Sequence, residues 1–365
     1  MEPRKKKVLL GMSGGVDSSL SAALLLEQGY EVIGAFMKNW SPLACEADAG
    51  FEECDWRGER RDAMRVAGQL GIPFLTFDFE KEYRERVIED LFAEYDAGRT
   101  PNPDVLCNKH VKFDLFVKEA DKLGCDFIAT GHYARAENGR ILKGVDAAKD
   151  QTYFLWAIPP AVLPRVLFPV GHLTKPQVRE EAAKRGIVTA DKKDSTGICF
   201  VGEVDLKKFL LTKLEKKPGN IVTPEGKVLG RHDGLAFFTV GQREGLNVAV
   251  GEPLYVAERR RATNELVVAP NGHPALFRSS VEGIKANWFR MPQEGAHVAV
   301  RLRHQQAPVG CTVSRLPLRP GEFPGPAWTS ELLRVVFDEP QRGVAPGQSM
   351  VFYDGEEMVG GAIIA

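Results

Sequence analysis

Two sets of residues in this 365-residue chain can do chemistry. One is the octapeptide Gly11, Met12, Ser13, Gly14, Gly15, Val16, Asp17 and Ser18. Its glycines let the backbone pass close to a ligand and adopt positive φ. Ser13 and Ser18 add hydroxyl donors. An apolar strand at 6–11 precedes it and helical spacing of apolar residues at 18–28 follows. The octapeptide therefore opens a helix, whose unpaired N–H groups and dipole favour an anion. It is neither GxxxxGK[ST] nor GxGxxG, which disfavours a Walker ATPase and a dinucleotide dehydrogenase. The plain alternative is a glycine-rich turn without a ligand.

The other set centres on Cys107 and Cys199. Cys107 follows Asn102, Pro103 and Asp104. The two prolines at 101 and 103 force an extended or turned lead-in. Asp104 then reads as the N-cap of a helix with Cys107 in its first turn. There the dipole, Lys109 and Lys112 would favour thiolate. Cys199 lies among Gly, Ser and Thr just after Lys192 and Lys193, a second setting that lowers a thiol pKa. A packed, inert thiol is the plain alternative for each. Two reactive thiols in a nucleotide-binding domain suggest sulfur transfer, one carrying a persulfide and the other releasing it by exchange.

The loop resembles that of the PP-loop ATP pyrophosphatases, which cleave ATP between the α- and β-phosphates and adenylate a carbonyl oxygen. The wider chain resembles the bacterial tRNA-specific 2-thiouridylases. The stretches that carry this resemblance are GMSGGVDSS, FMKNW, AGRTPNPDVLCNKHVKF, FIATGHYAR, KDQTYFLW, FPVGHLTKPQVR, KKDSTGICFVGE, TVGQREGL and PGQSMVFYDGE, spanning residues 11–356. The resemblance implies ATP contacts at residues 11–18, Met37 and Gly131, and target-base contacts at Asn102, Pro103 and Asp104. Asp104 is also a candidate acid/base. It implies Cys107 as the nucleophile and Cys199 as the persulfide carrier. It implies tRNA contacts at His132, Lys149, Asp150, Gln151, Arg303, His304 and Gln348. His304 stands where the family usually has Tyr. His132 also reads as a satisfied turn residue. The implied substrate is the wobble uridine of Lys, Glu and Gln tRNAs, supplied with sulfur by a cysteine desulfurase relay. Mg²⁺ is expected with the phosphates, Asp17 being its candidate ligand.

Three rivals remain open. An amide-forming PP-loop ligase would need no cysteine. A non-catalytic RNA-binding protein would need no intact phosphate loop. Asp104, Cys107 and Cys199 could instead hold an iron–sulfur cluster. Lys175, Lys184, Lys192 and Lys193 read either as a solvated face or as a tRNA path.

These residues need elements to hold them. Strands at 31–37, 74–78 and 127–130 alternate with helices at 57–70, 83–95 and 111–123, which predicts an α/β domain with a doubly wound, mostly parallel sheet. Past residue 214 the helical periods stop. Short apolar runs at 227–230, 237–240, 253–257, 266–269, 298–302, 311–316, 332–337 and 349–353 alternate with turns. They predict two small mainly-β domains, the last a β-barrel. The expected division is 1–206, 207–277 and 278–365. The loop at 39–56 is unusual, and its Cys45 and Cys54 read as structural or incidental.

Composition narrows the class. A net charge of −1 makes any nucleic-acid surface local. Six cysteines without a CxxC pair exclude a disulfide scaffold and the usual local zinc pattern. No apolar run approaches the roughly 20 residues of a membrane span. A cytoplasmic protein without membrane partners is expected.

Overall fold

The computed structural model describes residues 4–41, 56–194, 205–248, 251–317 and 332–365. The chain divides into two compact units. The first holds Met1–Ile88, Pro103–Val204 and Gly355–Met358, and the second holds Glu89–Asn102, Asp205–Asp354 and Val359–Ala365.

The first unit runs β1 (Lys7–Gly11), α1 (Val16–Glu27), β2 (Glu31–Lys38), α2 (Trp56–Leu70), β3 (Phe74–Asp78) and α3 (Glu80–Tyr83). A π-helical turn, Arg84–Ile88, leads on into α4 (Glu89–Asp96) of the second unit. The chain re-enters the first unit through α5 (Pro103–Cys107), a π-helical stretch Asn108–Leu115 and α6 (Phe116–Lys122). There follow β4 (Phe127–Ala129), the hairpin β5 (Ala134–Glu137) and β6 (Arg140–Lys143), β7 (Val166–Leu167) and α7 (Lys175–Lys184). Five strands form one parallel sheet in the order β3–β2–β1–β4–β7.

Val8, Leu9 and Leu10 of β1 are all 0% exposed, because a central parallel strand is covered on both faces. Each such burial contributes roughly 1.5–3 kcal/mol. Val8 and Leu10 share a core with Leu20, Val66 and Val178 of α1, α2 and α7. Leu9 alternates to the other face. Phe77 of β3 meets Phe116 of α6 edge-on, with ring centroids 6.1 Å apart. The sheet is thus doubly wound. Strand order reverses between β2 and β4 around β1, and α/β folds bind ligands at that reversal, beyond the strands' carboxyl ends.

In the second unit, Asp205 caps α8 (Leu206–Leu211) by accepting the Lys208 N–H at 3.1 Å. A four-stranded sheet follows, built from β8 (Gly219–Val222), β9 (Val228–His232), β10 (Leu254–Arg260) and β11 (Glu265–Pro270) in the order β10–β11–β8–β9. Then come β12 (Phe277–Trp288), β13 (His297–Arg301), β14 (Val309–Leu316), β15 (Leu332–Arg342), β16 (Ser349–Asp354) and β17 (Glu357–Ile364). Their order β12–β15–β14–β13–β16–β17 closes through a β12–β17 pairing into a six-stranded barrel. Val300, Leu333, Val335, Met350 and Phe352, each 0% exposed, fill it.

The expected fold class is the one observed. Residues 237–240, expected as a strand, are instead the end of a 3₁₀ turn, Leu235–Phe237, and the loop after it. Phe238 and Val240 alternate inward because they plug the core of the four-stranded sheet. The Thr239 N–H bonds the Gln242 side chain at 2.8 Å in place of a neighbouring strand. Among the described residues no helix is long and apolar enough to cross a membrane.

Candidate active site

The 11–18 loop leaves β1 at the sheet's reversal point and turns into α1, which starts at Val16, two residues before the expected position. Its serines are spent on the turn. The Ser18 hydroxyl takes the Ser13 N–H at 3.2 Å and lies 3.3 Å from the Ser13 hydroxyl. Ser19 donates to the Gly15 carbonyl at 2.8 Å and holds the first turn. Gly131 follows β4 against this turn. A Cβ on Gly131 would stand 2.8 Å from the Ser18 nitrogen and 3.0 Å from the Asp17 carbonyl carbon. Only a bare backbone fits there. Met37 lies on β2 two residues past the Gly11–Ala35 pair and is 6% exposed. The loop, Met37 and Gly131 therefore converge at the carboxyl end of one sheet.

Asp17 departs from its expected part. Both of its carboxylate oxygens accept from the Lys175 ammonium, at 2.8 and 2.9 Å, and one also accepts the Tyr133 hydroxyl at 2.7 Å. The donor set does not fit Asp17 as a Mg²⁺ ligand, since a lysine already neutralises it. Among the described residues no group of three His, Cys, Asp or Glu could hold a metal. Burial and the Asp17 charge push the Tyr133 phenol well above its ordinary range, so it is a hydrogen-bond donor.

Lys175 is 9% exposed and bridges Asp17 to Asp194, 2.8 Å away. Asp194 also pairs with Lys149 at 2.8 Å and Arg179 at 2.9 Å. Burial works to raise the Asp194 carboxyl. The bonds from Lys149 and Lys175 outweigh it and hold the pKa at about 2. Lys175, expected as solvated or as a tRNA contact, is thus a buried ion-pair bridge. Lys192 pairs with Asp62 at 2.8 Å and Lys184 with Glu181 at 2.8 Å. The capping box at the start of α7, Thr174 with Gln177, was the sequence signal that puts Lys175 at a fixed helix start.

Cys107 is 0% exposed at the end of α5. The helix begins at Pro103, so Asp104 lies inside the first turn and is not the N-cap. Proline suits that first position because its missing N–H needs no partner there. Cys107 is the fifth helical residue, just beyond the first turn, where the dipole acts less on a thiol than expected. The rod continues through the π-helical stretch into α6 as one unit.

Next to Cys107, Asn108 is 2% exposed. Its amide donates to the Phe154 carbonyl at 3.0 Å, while its buried Oδ1 lacks a protein partner. Asn39, just past β2, is 1% exposed with both amide atoms unpartnered. Such atoms cost about 1–3 kcal/mol each unless a ligand or water meets them. No periodicity marks a lone polar residue of this kind, and sequence reading missed both.

His132 is 9% exposed, with Nδ1 2.7 Å from the Thr130 hydroxyl and Nε2 3.5 Å from the Lys112 ammonium. Burial first, then Lys112, pulls its pKa well below the usual range, so the ring is neutral. Asp150 is 2% exposed and accepts the Gly144 N–H at 3.1 Å and the Thr152 hydroxyl at 2.9 Å. Gln151 accepts the Tyr133 N–H at 3.0 Å. Of the 149–151 stretch, Asp150 and Gln151 hold the turn and the half-exposed Lys149 reaches Asp194.

Asn102, Arg303, His304 and Gln348 belong to the second unit, whereas Pro103 and Asp104 belong to the first. The Arg303 guanidinium donates to the Val240 and Gly343 carbonyls at 3.1 and 2.9 Å. Cys199, Cys45 and Cys54 lie outside the described residues.

Three family models match in succession. They are described as a tRNA methyl transferase HUP domain over residues 6–203, a tRNA methyl transferase PRC-barrel domain over 207–270 and an aminomethyltransferase β-barrel domain over 278–364. A tRNA-specific 2-thiouridylase from Shewanella sp. (strain W3-18-1) is 46% identical over 98% of this chain and 96% of its own. A Pseudomonas fluorescens (strain Pf0-1) protein of the same name is 47% identical over 99% and 95%. The chain belongs to the tRNA-specific 2-thiouridylase family. A solved 4-thiouridine synthetase covers 57% of the chain at 20% identity, with a TM-score of 0.36. Membership in the 2-thiouridylase family rests on the curated relatives, which match from end to end.

Proposed function

We propose that this chain is an ATP-dependent tRNA 2-thiouridylase acting on the wobble uridine. The observation that carries the reading is the end-to-end match, at 46–47% identity, to relatives named for that activity. The reversal-point loop and Cys107 support it chemically. Methyl transfer, the description attached to two of the family models, uses neither a phosphate loop nor paired thiols.

The flipped uridine would present its C2 oxygen to the ATP α-phosphate. Adenylation forms the O–P bond and releases pyrophosphate. The terminal sulfur of a Cys199 persulfide then attacks C2, and AMP leaves with the former carbonyl oxygen. The Cys107 thiolate attacks the Cys199 sulfur and frees 2-thiouridine. The two cysteines are left as a disulfide, which an external thiol must reduce. Asp104 is the acid/base candidate. The loop, Met37 and Gly131 would hold ATP; Asn102, Pro103 and Asp104 would meet the base. His132, Lys149, Asp150 and Gln151 of the first unit, and separately Arg303 and His304 of the second, would meet the tRNA, His132 and Asp150 by supporting their neighbours from within. The substrates would be the Lys, Glu and Gln tRNAs and the sulfur source a cysteine desulfurase relay, in the cytoplasm. Domains 1–206, 207–277 and 278–365 divide the work into chemistry, a central β-rich part and the barrel.

The test is mass analysis of nucleosides from unmodified tRNA incubated with ATP and a sulfur source. 2-Thiouridine at the wobble position alone is expected. Its absence, or a methylated uridine, would overturn the reading. A Cys199→Ser variant that still thiolates would remove the persulfide step. Iron and sulfide analysis after anaerobic purification separates the cluster alternative.

A further inference from the structure

In the second unit, residues 99–101 lead directly into Asn102. Pro101 and Pro103 have no N–H, so between 100 and 103 only Thr100 and Asn102 can donate a backbone hydrogen bond. The turn Pro346, Gly347 and Gln348 meets the Thr100 groups. The Thr100 N–H donates to the Pro346 carbonyl at 2.8 Å. The Gln348 Nε2 donates back to the Thr100 carbonyl at 2.9 Å, with the Pro101 carbonyl 3.5 Å away. Both faces of one residue's backbone are therefore gripped, and Thr100 is 6% exposed.

The grip is tight. A Cβ on Gly347 would stand 2.7 Å from the Thr100 nitrogen and 2.8 Å from the Arg99 Cβ, and its φ of +91° favours glycine anyway. The turn is itself fixed to the barrel's last strand, because the Gly347 N–H donates to the Ile364 carbonyl at 2.9 Å and the Ile364 N–H to the Gln348 carbonyl at 2.9 Å. On the other side, Arg99 grips Glu94 with two guanidinium bonds, one at 2.7 Å, and its N–H reaches the Glu94 carbonyl at 2.8 Å. The Gln348 amide donor is already spent on the backbone.

We propose that Gln348 is a positioning residue for the target-base loop, fixing the Thr100–Pro101 backbone and through it Asn102, and that it is not a tRNA contact. This rests on the 2-thiouridylase reading. The barrel then serves the chemical step as well as the RNA.

The experiment compares wild type, Gln348→Ala and Gln348→Glu in thiolation of unmodified tRNA at varied tRNA concentration, beside direct tRNA binding and hydrogen exchange at residues 99–102. Glutamate keeps the length but as a carboxylate has no N–H to give. Both variants should lower kcat by about tenfold or more, as misplacing a reacting group does. KM and Kd for tRNA should stay within about twofold, and exchange at Thr100 should quicken while the barrel strands stay protected. A rise in Kd with kcat intact would restore the tRNA-contact role and overturn the proposal. Unchanged kcat would also overturn it. If one variant fails to fold, the other carries the comparison. If wild type makes no 2-thiouridine, the functional reading fails and the proposal with it. Quickened exchange at Thr100 would in that case establish only the structural clamp.

Discussion

Cys107 and Cys311 are equally buried, each 0% exposed, yet what is buried beside them differs. Cys311 stands in β14 opposite Val298 and Phe337, inside a barrel core of valine, leucine and phenylalanine. Burial, then the Asp338 charge, pushes its thiol up to about 12. A thiol so placed is packing. Cys107 ends a helical segment whose next two residues, Asn108 and Lys109, are themselves buried and polar. Buried polar groups of this kind are costly unless each finds a partner. On the proposed reading, burial alone does not separate the reactive Cys107 from the structural Cys311; the polarity of what is buried with it does.

The sharpest way to break this contrast is to exchange the outcomes. Cys107→Ser should abolish thiolation by at least about a thousandfold, the scale on which removing a nucleophile registers. tRNA-dependent pyrophosphate release should persist. Thiolation near wild-type rates, read by nucleoside mass analysis, would end the assignment. Next in size is Lys175→Met, which leaves Asp17 and Asp194 facing each other without their shared ammonium. Pyrophosphate release should fall about a hundredfold through misplacement of the loop, and Lys175→Arg should recover part of it. A Lys175→Met enzyme with wild-type pyrophosphate release would show the bridge to be idle. Gly131→Ala comes third. The added methyl has no room beside the Ser18 backbone, so KM for ATP should rise about tenfold and Tm should fall, overpacking costing about 1–3 kcal/mol. An unchanged KM would mean that the Ser18 turn can yield.

Much of this was legible. The parallel sheet followed from apolar runs at β1, β2 and β3 separated by helical periods. Cys107 was visible because two prolines and an aspartate frame it. What failed to show has physical reasons. Phe238 and Val240 alternate like a strand because burying every second side chain needs no ladder. The start of α5 moved because Pro103 can occupy the first helical position. The partners of Lys175 and Asp194, and the burial of Asn39 and Asn108, left no trace because an ion pair or a buried amide is set by residues far apart in sequence. Asp17 and Lys175 are 158 positions apart.

The contrast extends to what holds each region together, and the two smallest predictions sharpen it there. Cys311→Ala deletes one buried sulfur from an apolar core. It should cost about 1–2 kcal/mol of stability with thiolation unchanged, read by denaturant midpoints. A larger loss of activity than of stability would mean that the barrel thiol is more than filling.

The phosphate-loop side depends on charge instead. Asp194 has a folded pKa of about 2 against about 3.9 unfolded. A depressed carboxyl contributes stability above its unfolded pKa and loses it as pH falls through the folded one. The Tm difference between wild type and Asp194→Asn should therefore be full near pH 6, shrink below about pH 4 and vanish only below about pH 2. Its partners are partly exposed, so added salt should shrink it as well. Salt should leave the Cys311→Ala difference unchanged, since nothing charged is removed there. A Tm difference for Asp194→Asn that held constant across pH and salt would mean that shape, not charge, secures the loop, and the distinction between the two regions would collapse.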